Sequence, residues 1–230
     1  VQYIVPVLVK DETMYKTDKL PLFKDDAYQV GDKWLIPTAE VSLVGLFSDK
    51  TLHLNQPLRL NSLSNCFRKE AGSAGKDTRG LIRQHQFEKV ELVTICKPEE
   101  SKQEHIRMLS IISSLLDSLG LEYRKVLLCS GDTGFGSSKT IDFEVFFKGL
   151  NCFREISSCS NCIDFQGRRA NIRYSKEKGT DYVHTLNGSC LPIGRTLAAI
   201  IEQYQTEDGI ISVPECLKSY YGADILSQHQ

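Results

Sequence analysis

Four strand-like segments, at residues 121–128 (LEYRKVLL), 140–147 (TIDFEVFF), 152–157 and 165–174, follow one another with no helical pattern between them. Residues 89–95 (KVELVTI) read as a further strand by composition and partial alternation. Strands in such succession predict an antiparallel β-sheet flanked by α-helices, an α+β fold. Evenly alternating β-α units are absent, and so are G-x-G-x-x-G and G-x-x-x-x-G-K-[ST]. The clearest helix begins at Ser101, which with Glu104 forms a capping box. It carries Ile106, Leu109, Ile112, Leu116 and Leu119 at helical spacing and stops at Gly120. A second helix is predicted over 195–207, with Leu197, Ile200, Ile201 and Tyr204 on one face and Gly209 after it. A short third helix follows Pro37-Thr38-Ala39-Glu40 and carries Val41, Leu43, Val44 and Phe47. Residues 2–9 read as an extended, edge-compatible segment around Pro6, and 10–33 as polar and turn-rich.

Composition narrows the function classes. The chain has 230 residues, 41% hydrophobic and 25% charged, which fits one soluble globular domain over 1–230. A net charge of -1 supplies no global field toward nucleic acid or anionic membrane, so any RNA contact is local. No run of 18 apolar residues predicts a membrane span. The first ten residues are apolar with a late lysine, the wrong order for a secretory signal. Of eight cysteines only Cys159 and Cys162 have C-x-x-C spacing, and the five histidines are scattered and add no second ligand pair for zinc. Structural, reduced thiols in a cytoplasmic setting are the expectation.

Three stretches carry candidate chemistry. Residues 67–89 (FRKEAGSAGKDTRGLIRQHQFEK) hold Arg68, Lys69, Lys76, Arg79, Arg83 and Lys89 against Glu70, Asp77 and Glu88, a local charge of +3. They read as a strand, a mobile basic loop and a returning strand. Arginines rising from a sheet suit phosphate, because the guanidinium fork binds two oxygens at once; Phe87 beside them could stack on a base. A solvated hairpin with surface charges has the same composition. Residues 154–162 (REISSCSNC) place Glu155, Ser157 and Ser158 at a strand end, an oxygen-rich patch suited to Mg²⁺ or simply a polar strand end. Residues 184–198 (HTLNGSCLPIGRTLA) read as a strand ending in a tight polar turn at Asn187, Gly188 and Ser189. Gly194 and Arg195 then open a helix whose N-terminus favours an anion, or which is merely glycine-capped.

In combination these stretches resemble the catalytic domain of the seryl-tRNA synthetase family, of bacterial or organellar type, within the class II aminoacyl-tRNA synthetases. The matching elements are Pro37-Thr38-Ala39-Glu40-Val41, residues 67–92, residues 155–174 (EISSCSNCIDFQGRRANIRY) and residues 184–205 (HTLNGSCLPIGRTLAAIIEQYQ), and the resemblance covers essentially the whole chain. It implies a ligase that joins L-serine to ATP, releases pyrophosphate and transfers the seryl group to tRNA(Ser). It implies that Arg68 bridges the α-phosphate and the amino-acid carboxylate, that Glu70 receives the adenine amino group, and that Phe87 stacks on adenine. Arg83 lies near the γ-phosphate and Arg195 on the other face of ATP in the same scheme. Lys69, Gln84, Ile156 and Ser157 complete the ATP site, and Glu155 and Ser158 hold Mg²⁺. Thr38 and Glu40 hold the serine ammonium, Ala39 belongs to the same serine site, and Glu91, Asn187 and Ser189 surround the hydroxyl. The family carries Cys159 and Cys162 without zinc.

The chain also departs from the family. The N-terminal tRNA-binding coiled-coil arm and the helix of motif 1 have no counterpart here, so the resemblance implies a catalytic fragment of a homodimeric enzyme. Lys16 and Asp18 stand where the family has glycines, Cys190 replaces a glycine after Ser189, and Pro192 follows. The basic run at 167–178 suits a tRNA-facing surface, a dimer partner or a solvated strand end equally. Two other classes of function fit less of the sequence. A ligase loading an amino acid onto a carrier protein would explain the missing arm, and a catalytically silent paralogue would explain the departures.

Overall fold

The computed structural model describes residues 1–71 and 80–226. Lys76, Asp77 and Arg79 of the basic stretch lie outside the described residues. In chain order the strands and helices are β1 (Leu8–Lys10), α1 (Asp11–Lys16), β2 (Gln29–Val30), β3 (Lys33–Leu35), α2 (Glu40–Gly45), β4 (Thr51–Leu52), β5 (Leu58–Phe67), β6 (Gln86–Cys96), α3 (Ser101–Ser118), β7 (Tyr123–Leu127), β8 (Lys139–Phe147) and β9 (Cys152–Asn161). There follow α4 (Phe165–Arg169), β10 (Arg173–Ser175), β11 (Thr180–Tyr182), β12 (His184–Pro192), α5 (Ile193–Tyr204), β13 (Ile211–Ser212), α6 (Glu215–Tyr221) and β14 (Ile225–Leu226).

Six strands form the central sheet in the order β5-β6-β12-β9-β8-β7. Every neighbouring pair is antiparallel, as the succession of strand-like segments predicts. β12, last of these six in the chain, sits between β6 and β9, so it is flanked by the strand that returns from the basic stretch and the strand that carries the oxygen-rich stretch. α3 packs across β12, β9 and β6. Met108, Ile112 and Leu116 of α3 are buried with Phe143, Phe147, Cys159 and Leu186. Each such side chain contributes about 1.5–3 kcal/mol by leaving water. Gly188 makes that packing close, since a Cβ there would sit 3.2 Å from the Met108 methyl and 3.3 Å from Cys159 Sγ. A second core joins Trp34, Ile36, Val41, Leu43, Ile95 and Ile172 around α2.

Several local expectations are corrected. Residues 165–174 are not one strand: α4 and a turn with Asn171 at φ +49° precede the three-residue β10. The helix forms because Gln166 and Gly167 are buried, Gly167 so close to the Val183 carbonyl that no side chain fits. The turn-rich stretch 10–33 contains α1, anchored by buried Met14. Strand geometry within 2–9 is confined to β1 and a bridge from Gln2 to Asn61.

The capping box sits earlier than Ser101. A tight turn at Pro98–Glu100 leads into α3, and the Lys97 amide donates to Glu100 Oε2 at 3.0 Å. Glu104 instead binds Arg59 and Arg107, each at 2.7 Å. Ile106 is 50% exposed, its expected core place taken by Met108. α5 runs over 193–204 rather than 195–207, and it turns Thr196, Ala199 and Ile200 inward while Leu197 is exposed.

Candidate active site

Strand alternation in β6 sends Lys89 and Glu91 to the same face, opposite to Val90 and Leu92. β12 places Ser189 directly across from Glu91 and Asn187 across from Val93. The expected turn at Asn187, Gly188 and Ser189 is therefore strand. Their polarity serves a cavity wall rather than a chain reversal. The register slips between Ser189 and Leu191, which accommodates Cys190 in a bulge and brings Pro192 opposite Lys89.

Above this face lies a cavity of about 630 Å³. It gathers Thr38, Glu40, Arg68, Glu70, Arg83, Gln84, Phe87, Glu91, Glu155, Ile156, Ser158, Asn187, Ser189 and Arg195 from five separate stretches of chain. Three other expected residues do not line it. Ala39 is buried at the start of α2. Lys69 holds its ammonium 5.8 Å from the Tyr28 ring. Ser157 donates its hydroxyl to the Ser189 carbonyl.

One end of the cavity is a buried polar cluster. Thr38 Oγ1 donates to Glu91 Oε2 at 3.0 Å and accepts the Glu40 amide at 3.3 Å. Lys89 Nζ lies 2.5 Å from the same Glu91 oxygen and donates to Ser189 Oγ at 2.9 Å. Glu40 Oε1 accepts from Gln166 Nε2 at 2.6 Å and Asn187 Nδ2 at 2.9 Å, and Lys19 Nζ stands 3.2 Å from Oε2. Buried carboxylates need such partners, because desolvation otherwise drives them neutral. Lys19 and Lys89 also line the cavity, although the sequence reading did not name either as a site residue. For Lys89 the available signal was its i, i+2 spacing from Glu91 on a strand, which forces a shared face.

The other end is cationic. Arg68 opens the loop after β5, its amide donating to the His85 carbonyl at 2.9 Å and its guanidinium 5.2 Å from the Phe87 ring centroid. Arg83 pairs with Glu70, which adopts φ +56°. Arg195, second to Gly194 in the first turn of α5, donates through Nε and Nη2 to the Ile82 carbonyl at 3.1 and 2.8 Å and through Nη1 to the Glu155 carbonyl. A Cβ at Gly194 would lie 2.8 Å from Gln84 Oε1, so Gln84 would have to shift to admit one. Burial pushes the Arg195 guanidinium below its ordinary pKa, and Arg68 and Arg83 push the same way while Glu155 opposes them. Three guanidiniums around one cavity leave a positive potential that an anionic ligand would relieve.

Between the two ends stand oxygen donors. Glu155 and Ser158 line the cavity. Asp142 lies directly across from Ser158 on β8 and hydrogen-bonds its side chain. Asp142 Oδ1 is buried without a hydrogen-bond partner, and burial pushes this carboxyl up to about 6, against the Ser158 hydrogen bond. An all-oxygen set with one unsatisfied carboxylate oxygen fits a hard divalent cation. The cysteines are free thiols; Cys159 and Cys162 are both buried, and burial pushes the Cys162 thiol up to about 12.

The cavity and sheet define a class. Residues 19–204 match the family model of the tRNA synthetase class II core domain (G, H, P, S and T), and the chain belongs to that family. Within it, the chain is similar to the serine--tRNA ligases of Novosphingobium aromaticivorans, 57% identical over 223 residues (95% of this chain, 52% of the relative), and of Erythrobacter litoralis, 59% identical over 221 residues (94% and 52%). It is also similar to a solved structure of seryl-tRNA synthetase from Pyrococcus horikoshii complexed with ATP, with TM-score 0.96 and 38% identity over 100% of this chain and 53% of that one. The chain thus spans about half the length of the relatives it matches.

Proposed function

We propose that this chain is the catalytic core of a serine--tRNA ligase: it activates L-serine with ATP to seryl-adenylate, releasing pyrophosphate, and the intact ligase then transfers the seryl group to tRNA(Ser). The observation that carries this reading is the pairing of a three-arginine end with a buried polar end in one cavity. The nucleophile is the serine carboxylate, ionised at neutral pH, so no general base is required. One carboxylate oxygen bonds to the α-phosphorus while the bond to the pyrophosphate oxygen breaks, and the electron pair leaves with pyrophosphate. The barrier is then one of alignment and charge. Holding two reactants in line supplies about 7–11 kcal/mol in favourable cases, and Arg68 and Arg195 stabilise charge on the phosphate oxygens. Glu155 and Ser158 would hold Mg²⁺, which adds charge neutralisation at the same phosphates; Asp142 orients Ser158. Phe87 and Glu70 supply a stacking face and an acceptor for adenine.

Specificity follows from the buried end. The serine ammonium goes to Glu40 and Thr38. Its hydroxyl meets Glu91, Asn187 and Ser189, held by Lys89. Alanine would leave those groups unpaired, and sites built this way reject the deficient analogue by about 10⁴–10⁵. Threonine carries an extra methyl group and is excluded by crowding. The test is amino-acid-dependent exchange of pyrophosphate into ATP by the intact ligase. Exchange with serine and not with alanine or threonine supports the reading, and no serine-dependent exchange overturns it.

A further inference from the structure

Behind the ammonium end of the cavity sits a charged pair that the reaction as proposed does not use. Asp18 adopts φ +65°, a left-handed conformation that a non-glycine residue rarely takes. Its Oδ1 accepts from Lys19 Nζ at 2.7 Å, and the same ammonium stands 3.2 Å from Glu40 Oε2. All three side chains are largely buried, 11%, 18% and 5% exposed. Gly136 closes over the pair, so tightly that a side chain there would collide with the Asp18 carboxylate. The other Glu40 oxygen is taken by Gln166 and Asn187. Glu40 Oε2 is therefore the oxygen left for a ligand ammonium, and Lys19 is its competitor.

We propose that Asp18 and Lys19 set the charge of the ammonium subsite, with Asp18 drawing Lys19 off Glu40 so that Glu40 keeps a net negative field for the amino group of the incoming amino acid. This rests on the reading of Glu40 as the ammonium acceptor. The balance of charge makes the point. With Asp18, Lys19 and Glu40 all ionised the cluster carries one net negative charge, which an ammonium neutralises. Without the Asp18 charge the cluster is neutral before any ligand arrives. Burial alone would lower the pKa of Lys19, but Glu40 and Asp18 hold it above the usual lysine value, so it stays a cation. Burial and Glu40 push the Asp18 carboxyl above its ordinary value, and Lys19 and Arg169 oppose them; Arg169 itself donates to the Tyr15 carbonyl and lies over the Tyr15 ring. The role explains why a strained backbone position carries an acid: the carboxylate, not the loop, is what the position supplies.

Asp18→Asn removes the charge and keeps the shape, since asparagine also tolerates positive φ. The Asp18→Asn, Lys19→Gln double variant returns the cluster to the single charge of Glu40. The readout is calorimetric binding to the intact ligase of a non-hydrolysable seryl-adenylate mimic and of the same mimic lacking its α-amino group. Asp18→Asn is expected to weaken the amino mimic about tenfold, the order of effect of one nearby charge in a half-buried site. It leaves the deamino mimic unchanged, and the double variant recovers the amino mimic to within about threefold. In exchange kinetics the same variant raises KM for serine and leaves kcat and KM for ATP unchanged, the pattern of lost uniform binding. Equal weakening of both mimics, no recovery in the double variant, or no effect of Asp18→Asn overturns the inference while leaving the ligase reading intact. Failure of the unmodified ligase to bind either mimic overturns both.

Discussion

Lys89 Nζ and Glu91 Oε2 lie 2.5 Å apart at the centre of the sheet, both side chains almost wholly buried. Thr38 donates to Glu91 from α2's N-terminal end and Ser189 accepts from Lys89 on β12, so three separate stretches of chain meet around one buried ion pair. Removing one member of a buried ion pair leaves the other charge uncompensated, at a typical cost of about 3–5 kcal/mol. Lys89→Met is expected to lower stability by that order in a urea titration, and Lys89→Met, Glu91→Gln by clearly less. A double variant as unstable as the sum of its single changes would contradict the pairing.

Asp142 offers a test of the oxygen-donor set. Partners that orient a metal ligand typically matter by 10–100-fold. Asp142→Asn is expected to raise the Mg²⁺ concentration needed for half-maximal adenylate formation about tenfold, with serine affinity unchanged. An unaltered Mg²⁺ titration would remove Asp142 from this role.

Much of the sheet was legible because β7, β8 and β9 follow one another without an intervening helix and β6 shows partial alternation. β6 and β8 appear where the sequence put them. What misled was polarity facing a cavity. Asn187 and Ser189 look like turn residues only if polar groups are assumed to meet solvent, whereas in β12 they meet Glu40 and Lys89 respectively. Gln166 misled similarly: it is wholly buried, holding Glu40 and Thr185, inside a helix that local composition read as strand. Lys19 had no local signal at all, because nothing in a short polar stretch says that a lysine will be folded against a buried carboxylate. The residues around it, Lys16 and Asp18, stood out only against the family pattern. The structure satisfies both: Lys16 bridges Asp49 at 2.9 Å, and Asp18 takes the positive φ that a glycine would.

The thiols divide by burial. Cys129 and Cys216 are exposed, Cys152 and Cys190 are half-buried, and the other four are buried. Burial pushes Cys190 up to about 11 and Cys96 up to about 12, so neither offers thiolate at neutral pH. Ellman's reagent is expected to label Cys129 and Cys216 rapidly in the native protein, and Cys159 and Cys162 only after denaturation. Fast native labelling of Cys159 or Cys162 would contradict their burial.

Two histidines impose an acid limit on stability. His105 is buried with Nε2 3.1 Å from the Cys159 carbonyl, and His184 faces Ser101 Oγ at 3.0 Å. Burial lowers both pKa values below the ordinary 6.5. The unfolded chain therefore takes up protons first as pH falls below that value, and stability is lost through the window down to the folded pKa. The slope reaches at most about 1.4 kcal/mol per pH unit for each histidine. Urea midpoints at pH 7.5 and 5.5 should fall less for His105→Gln than for the unmodified chain; equal falls would contradict the buried neutral form.

The central claim is that one cavity pairs an arginine end for phosphate with a serine-sized buried end. Its most direct test is calorimetric titration of the intact ligase with non-hydrolysable seryl-, alanyl- and threonyl-adenylate mimics, repeated on Arg68→Ala. The account predicts tight binding of the seryl mimic alone, abolished in the variant. Equal binding of all three mimics, or seryl binding indifferent to Arg68, would contradict it.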